Sequence, residues 1–203
     1  MMKKIVLVSF MLLFALCGNA QNATQAKAVL DKAASVVGRQ GGASADFKIA
    51  SAKYGNTTGT IYIKGNKFHA RTPQAVVWYN GKTQWTYMKN TNEVNVSTPS
   101  EAQKMSMNPY TFITMYKNGY NLGVKTLGSR YQVHLTAQNQ KRSVQEMYIM
   151  VNAKSYVPTE VKMRQGKTWT TIAISNFKAK NQSDSLFVFR SKDYPSAEVV
   201  DLR

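Results

Sequence analysis

TTGTIYIKGNKFHARTPQAVVWYNGKTQWTYMKNTNEVNVSTP, residues 57 to 99, is the stretch that decides the fold. Its apolar residues recur every second position. Ile61 and Ile63 alternate with Thr60, Tyr62 and Lys64; Trp85 and Tyr87 with Gln84, Thr86 and Met88; Val94 and Val96 with Glu93, Asn95 and Ser97. Period two means that side chains point alternately to opposite faces of an extended chain, so each run predicts a strand with one apolar face. Turn residues separate the runs. Asn80-Gly81 predicts a tight hairpin, because Asn and Gly tolerate the positive φ such turns require. Gly65-Asn66 and Lys89 to Asn92 predict two more. The expectation is an antiparallel meander of four or five short strands with a single apolar face.

Upstream, Ala23 to Val37 is alanine-rich and places Ala26, Val29, Leu30, Ala33, Val36 and Val37 at helical spacing. Gly38 and the pair Gly41-Gly42 end this amphipathic helix. A strand over Ala43 to Lys53 follows, with Ala45, Phe47 and Ile49 on one side. Downstream of Pro99 the period of two is lost. SEAQKMSMNPYTFITMYKNGY predicts one or two short helices, the better one opening at Asn108-Pro109 and stopped by Lys117-Asn118-Gly119. Strands resume at Tyr120 and are separated at Gly128-Ser129, Asn139-Gln140, Asn152-Ala153 and Gln165-Gly166, with a last short one around Leu186 to Phe189. About ten strands with two helical pieces predict an α+β, mainly antiparallel β fold, a half-open, incomplete β-barrel with a helical lid across its mouth.

Residues 1 to 20 place Lys3 and Lys4 ahead of an uncharged run from Ile5 to Cys17, then small residues at Gly18 and Ala20. This predicts a secretory signal peptide cut before Gln21, with residues 21 to 203 forming one domain. Cys17 offers a second reading, a lipoprotein acylated at that cysteine after cleavage, which Leu16 disfavours because it stands where such a site needs a small residue. Cleavage after Ala20 leaves no cysteine, so the exported chain relies on its core for stability. The 27 Lys and Arg against 10 Asp and Glu are scattered, with no basic run and no nucleic-acid-binding module. They read as a solvated face, and nucleic acid is not an expected partner.

The inventory points away from catalysis. His69 and His134 each sit at a strand position with no second ligand at metal spacing, and are expected to be surface or half-buried histidines. No nucleophile elbow, phosphate loop or dinucleotide fingerprint is present, and the acids are dispersed. Neither a metal nor a cofactor is expected. What stands out is inward apolar surface that includes aromatics and the unbranched Met115, Met147 and Met163, which suit a cavity that adapts to flexible chains.

The ordered set Gly59 to Phe68 (GTIYIKGNKF), Pro73, Trp78 to Tyr87 (WYNGKTQWTY), Glu93 to Val96, Asn108 to Phe112 (NPYTF) and the closing VVDLR resembles the periplasmic outer-membrane lipoprotein carrier family. The resemblance covers nearly the whole chain after residue 20. It implies a monomeric periplasmic carrier that takes acylated lipoproteins from an inner-membrane lipoprotein-releasing transporter, shields their acyl chains, and delivers them to an acceptor at the outer membrane or to that membrane itself. Better-known members have Lys-Arg-Pro where this chain has Lys64-Gly65-Asn66, and the arginine there ties down the helical lid, so the latch here must differ or be absent. Phe68 matches a phenylalanine implicated in handover. Phe47, Ile49, Ile61, Ile63, Phe68, Trp85, Tyr87, Phe112, Met115 and Tyr116 are the expected lining of the acyl cavity. Two alternatives stay open: a binder or sensor of another envelope lipid on the same fold, and a secreted interaction protein whose apolar interior is merely its core.

Overall fold

The computed structural model describes residues 22–52, 55–100 and 114–203. The signal peptide expected over 1 to 20, the helix expected to open at Asn108-Pro109, and Phe112 lie outside the described residues.

Residues 22–37 form helix α1. Ala26, Val29, Leu30, Ala33, Ala34 and Val37 are its buried positions, a stripe at i, i+3, i+4, i+7, i+8 and i+11 that gives the helix one apolar face. Lys27 and Asp31 pair across one turn on the opposite face at 2.8 Å. The helix ends where expected: the Gly38 amide donates to the Ala34 carbonyl, and Gly42 turns the chain with a φ of 88°.

Among the described residues twelve strands follow, where the pattern suggested about ten. The first six are β1 (Ala43–Ser51), β2 (Gly55–Lys64), β3 (Lys67–Arg71), β4 (Ala75–Tyr79), β5 (Gln84–Met88) and β6 (Glu93–Ser97). After a 3-10 turn at Met115–Lys117 come β7 (Tyr120–Leu127), β8 (Arg130–Ala137), β9 (Glu146–Asn152), β10 (Pro158–Gln165) and β11 (Thr168–Lys178), and β12 (Glu198–Asp201) closes the chain. They make one sheet in the order β12-β6-β5-β4-β3-β2-β1-β11-β10-β9-β8-β7. Strand β1 is the hinge of this layout, pairing antiparallel with β2 on one side and β11 on the other. Two meanders spread outward from it. Among the described residues β12 and β7 are the edges and do not meet, so the barrel is left open.

The turns follow the sequence signals with one shift of register. Gly65-Asn66 is the two-residue turn between Lys64 and Lys67, with Gly65 at a φ of 57°. At Asn80-Gly81 the two central residues are instead Gly81 and Lys82. Asn80 donates its amide to the Thr83 carbonyl, while its side-chain oxygen accepts from the amides of Lys82 and Thr83.

The concave face carries the core. Ala45, Ile61, Ile63, Phe68 and Tyr79 from one meander and Val133, Leu135, Met147, Ile149, Val161 and Met163 from the other pack with the apolar stripe of α1. The convex face of β3 to β6 is also covered, which a single apolar face does not foresee. Residues 184 to 201 fold back over it. The strand expected at Leu186 to Phe189 is a 3-10 turn, Asp184–Phe187, opened by the Ser183 hydroxyl accepting from the Ser185 amide. Phe187 is fully buried, and Phe189 and Tyr194 pack edge-on against Trp78 at 5.4 and 5.5 Å between ring centroids. Burying these rings takes the segment across the strands, not along them. The chain then adds β12 parallel to β6, with Val199 beside Val94.

Candidate functional site

The site is the concave face and the helix across it. Strand alternation places Ile61 and Ile63 of β2, opposite Ala45 and Ala43 of β1 and opposite Ala70 and Phe68 of β3, on that face. Ile61, Ile63 and Phe68 are buried against the helix-bearing core. Met115 and Tyr116, from the 3-10 turn ahead of β7, are buried in the same cluster. Phe47 and Ile49 share the face, paired with Ile174 and Ile172 of β11, but all four are only half-buried. Gly59, opposite Phe47, leaves room for its ring: a Cβ there would stand 2.6 Å from the Phe47 Cζ and 2.1 Å from the Arg71 carbonyl oxygen. Leu122 and Tyr131, on β7 and β8, are half-buried too. The concave apolar surface therefore extends beyond the part that the described residues close off.

Trp85 and Tyr87 require a correction. Val76 and Trp78 of β4 lie opposite them, as do Val94 and Val96 of β6, and Tyr87 packs on Tyr194 at 4.6 Å between centroids. That is the convex side, under the C-terminal segment. Gln84, Thr86 and Met88 are the residues of β5 on the concave side, opposite Tyr79, Val77 and Ala75. Alternation in β5 is as expected. Which of its two faces meets the helix was not readable, because both faces of this meander are covered.

Among the described residues, three polar ties fasten α1 to the second meander and the turn ahead of it, none of them marked by a motif. At the start of the helix, the Asn22 side chain donates to the Val124 carbonyl at 3.1 Å and accepts from the Val124 amide at 2.7 Å, capping the open edge of β7. Midway, the Tyr116 hydroxyl donates to the Asp31 carboxylate. One residue on, the Lys32 ammonium donates to the Tyr156 hydroxyl at 3.2 Å and lies over that ring, 4.6 Å from its centroid. Hydrogen bonds from Lys27 first, and then from Tyr116, hold the Asp31 carboxyl below its ordinary range. Gly65, in the place of the family's arginine, sits in an open turn with nothing within 4 Å of an added Cβ. The ties that fasten the helix in its place are made on the far side, to β7, the 3-10 turn and the β9–β10 loop.

The histidines are unlike the expectation in one respect. His69 is fully buried on the convex side, stacked between Tyr62 and Trp78 at 5.7 and 5.3 Å. Its Nε2 accepts from Arg71 Nε at 2.9 Å, which leaves Nδ1 to donate to the Val77 carbonyl at 3.1 Å. Burial, with Arg71 adding to it, pushes its pKa down to about 4. His134 is on the outer face, 3.0 Å from Glu146. Among the described residues no three His, Cys, Asp or Glu side chains gather where a metal ion is held. No described helix is long and apolar enough to cross a membrane.

An open, mainly antiparallel sheet whose apolar concave face is spanned by a helix is the architecture of a binding fold. Residues 16–167 match the family described as outer membrane lipoprotein carrier protein LolA, and the chain belongs to that family. It is similar in fold to an uncharacterized conserved protein from Thermus thermophilus, at 14% identity over 87% of this chain and 99% of that one, with a TM-score of 0.59. It also matches a LolA superfamily protein from Nitrosomonas europaea, at 11% identity over 81% of this chain and 97% of that one, with a TM-score of 0.44. A third match is MucB in its complex with MucA from Pseudomonas aeruginosa, at 11% identity over 81% of this chain and 61% of that one, with a TM-score of 0.45. A comparison with curated proteins gives no match.

Proposed function

We propose that this protein is a periplasmic carrier that holds the acyl chains of lipoproteins against its concave face, beneath α1, and delivers them to the outer membrane. It binds and does not catalyse. The observation that carries the reading is the half-buried apolar ground at the middle of the sheet: Phe47 and Ile49 of β1 with Ile172 and Ile174 of β11. Apolar side chains on an inner face gain from further burial, and hydrocarbon supplies it at about 0.8 kcal/mol per methylene. A sixteen-carbon chain fully buried is then stabilised by on the order of 12 kcal/mol gross. Part of that is offset by undocking the helix, which keeps release possible. Met115, Met147 and Met163 lie in the same core and adapt their shape to a flexible chain. The export reading of residues 1 to 20 supports the compartment, and the family supports the inner-membrane donor and the outer-membrane destination.

The test is native mass spectrometry of the protein purified from an exporting host, followed by displacement of an apolar dye with a triacylated lipopeptide. The expected result is a one-to-one complex with the lipopeptide and loss of dye fluorescence. A protein that takes up neither dye nor lipopeptide while folded refutes the cavity; recovery of a different lipid keeps the cavity and changes the cargo.

A further inference from the structure

The concave face is not apolar throughout. On β5 and β6 it carries Gln84, Thr86, Asn95 and Ser97, with Gln84 directly opposite Ser97 and Thr86 opposite Asn95. Gln84 is 7% exposed, and its side-chain oxygen has no hydrogen-bond partner. Its nitrogen is engaged, donating to the Thr86 hydroxyl at 3.2 Å. Among the described residues, the side chains of Ser97 and Asn95 carry no hydrogen bond either. Buried polar groups are paired in all but a few cases, so an acceptor held without a donor on the inside of a binding fold marks a place where a ligand completes the pairing. Next to it lies apolar ground: Tyr79, opposite Gln84, packs on Phe68 at 5.4 Å between ring centroids.

We propose that Gln84 and Ser97 form a polar subsite for the secondary amide that joins an acyl chain to an amino group, the N-acyl linkage of a lipidated amine. This rests on the acyl-carrier reading above and names the part of the cargo that is recognised. The amide N–H donates to the Gln84 oxygen, and the amide carbonyl accepts from the Ser97 hydroxyl across the strand pair. An ester has no N–H and leaves Gln84 unpaired. A carrier built this way prefers cargo whose amine is acylated over cargo held by ester-linked chains alone.

The experiment compares N-dodecylacetamide with dodecyl acetate, two probes that differ only in N–H against O, by displacement of an apolar dye from the native protein and from Gln84→Met. Methionine keeps the length of the side chain and removes the unpaired group; thermal melts check that the variant is folded, and Gln84→Leu is the second variant. The native amide-to-ester affinity ratio is expected to exceed that of the variant by about tenfold, the effect of one well-formed hydrogen bond. Equal ratios in native and variant protein overturn the subsite and leave the acyl cavity standing. Binding of neither probe to the native protein overturns both.

Discussion

Replacing Tyr116 by phenylalanine isolates the central tie on the lid. The ring is buried in the core beside α1 and stays so in the variant; only the hydroxyl that donates to Asp31 is lost. A hydrogen bond to a charged acceptor is worth more than a neutral one, but the Asp31 side chain is 46% exposed and water takes the place of the lost donor. The expected cost is therefore about 1 kcal/mol, a factor of about five in the population of the undocked helix. Amide hydrogen exchange reads that population directly. At neutral pH the amides of residues 26 to 37 should exchange about fivefold faster in Tyr116→Phe, while those of β9, at the centre of the second meander, keep their native rates. Unchanged exchange in α1 refutes the tie. Equal acceleration in α1 and β9 refutes it as well, because the loss would then be in global stability. The pH dependence supplies an internal check. Asp31 has a folded pKa below its ordinary 3.8, so it contributes stability that is present above 3.8 and is lost as pH falls through the lowered folded value. Protection of α1 should fall over that acid range, and the difference between native and variant should narrow.

Three further outcomes are expected. Trp85→Ala, on the convex side, should lower stability by about 2 kcal/mol in denaturant melts, yet leave lipopeptide uptake per folded molecule unchanged, whereas Phe47→Arg should abolish uptake with little change in the melt. Gly59→Ala should destabilise by about 2 kcal/mol or more, because its Cβ meets the Arg71 carbonyl at 2.1 Å and backbone yields least; a variant as stable as the native protein would mean that β2 and β3 separate freely. His69 has a folded pKa of about 4 against an ordinary 6.5, so the unfolded chain binds its proton first, and up to about 3 kcal/mol of stability drains away as pH falls from 6.5 towards 4. His69→Phe should lose less across that window, and melting curves at pH 7 and pH 4.5 measure the difference.

The alternation in Thr57 to Pro99 was enough for five strands and their turns, because hairpin register depends on local turn chemistry and period two. The assignment of faces was not. Ile61 and Trp85 both belong to alternating runs, and each run has an apolar side; one meets α1 and the other, through Tyr87 and the neighbouring Trp78, meets Tyr194 and Phe189, about a hundred residues further along the chain. Alternation tells which residues share a side of a strand, not which side of the sheet the helix covers, and in β5 the side toward the helix is the polar one. The parallel pairing of β12 with β6 was likewise beyond local reading, since it depends on where the C-terminal segment emerges after crossing the convex face. The lid ties were invisible for a different reason. Asn22, Asp31 and Lys32 are ordinary helix-surface residues whose partners are 85 to 124 positions away.

Taken together, these placements give the concave face a direction. The helix is tied to β7, to the 3-10 turn and to the β9–β10 loop, all on one side of the sheet, and runs into β1 through Gly38 to Gly42. Unfastening the three ties frees the start of the helix while its end stays joined to the central strand. A helix released in this way would swing from β1 and open over β7 to β10; among the described residues, none of these ties reaches the β2–β3 turn where Gly65 stands. The unpaired Gln84 lies on the other meander, across β1 from that opening. An acyl chain anchored by its linkage at β5 and β6 would run over Phe68 and then over Phe47 and Ile172 towards the side that opens. On the proposed reading the polar end of the cargo would be held by the meander that carries Gln84, and the hydrocarbon would lie beneath the start of the helix. Release would then draw the hydrocarbon out first, with the hydrogen bonds of the linkage to Gln84 and Ser97 breaking last.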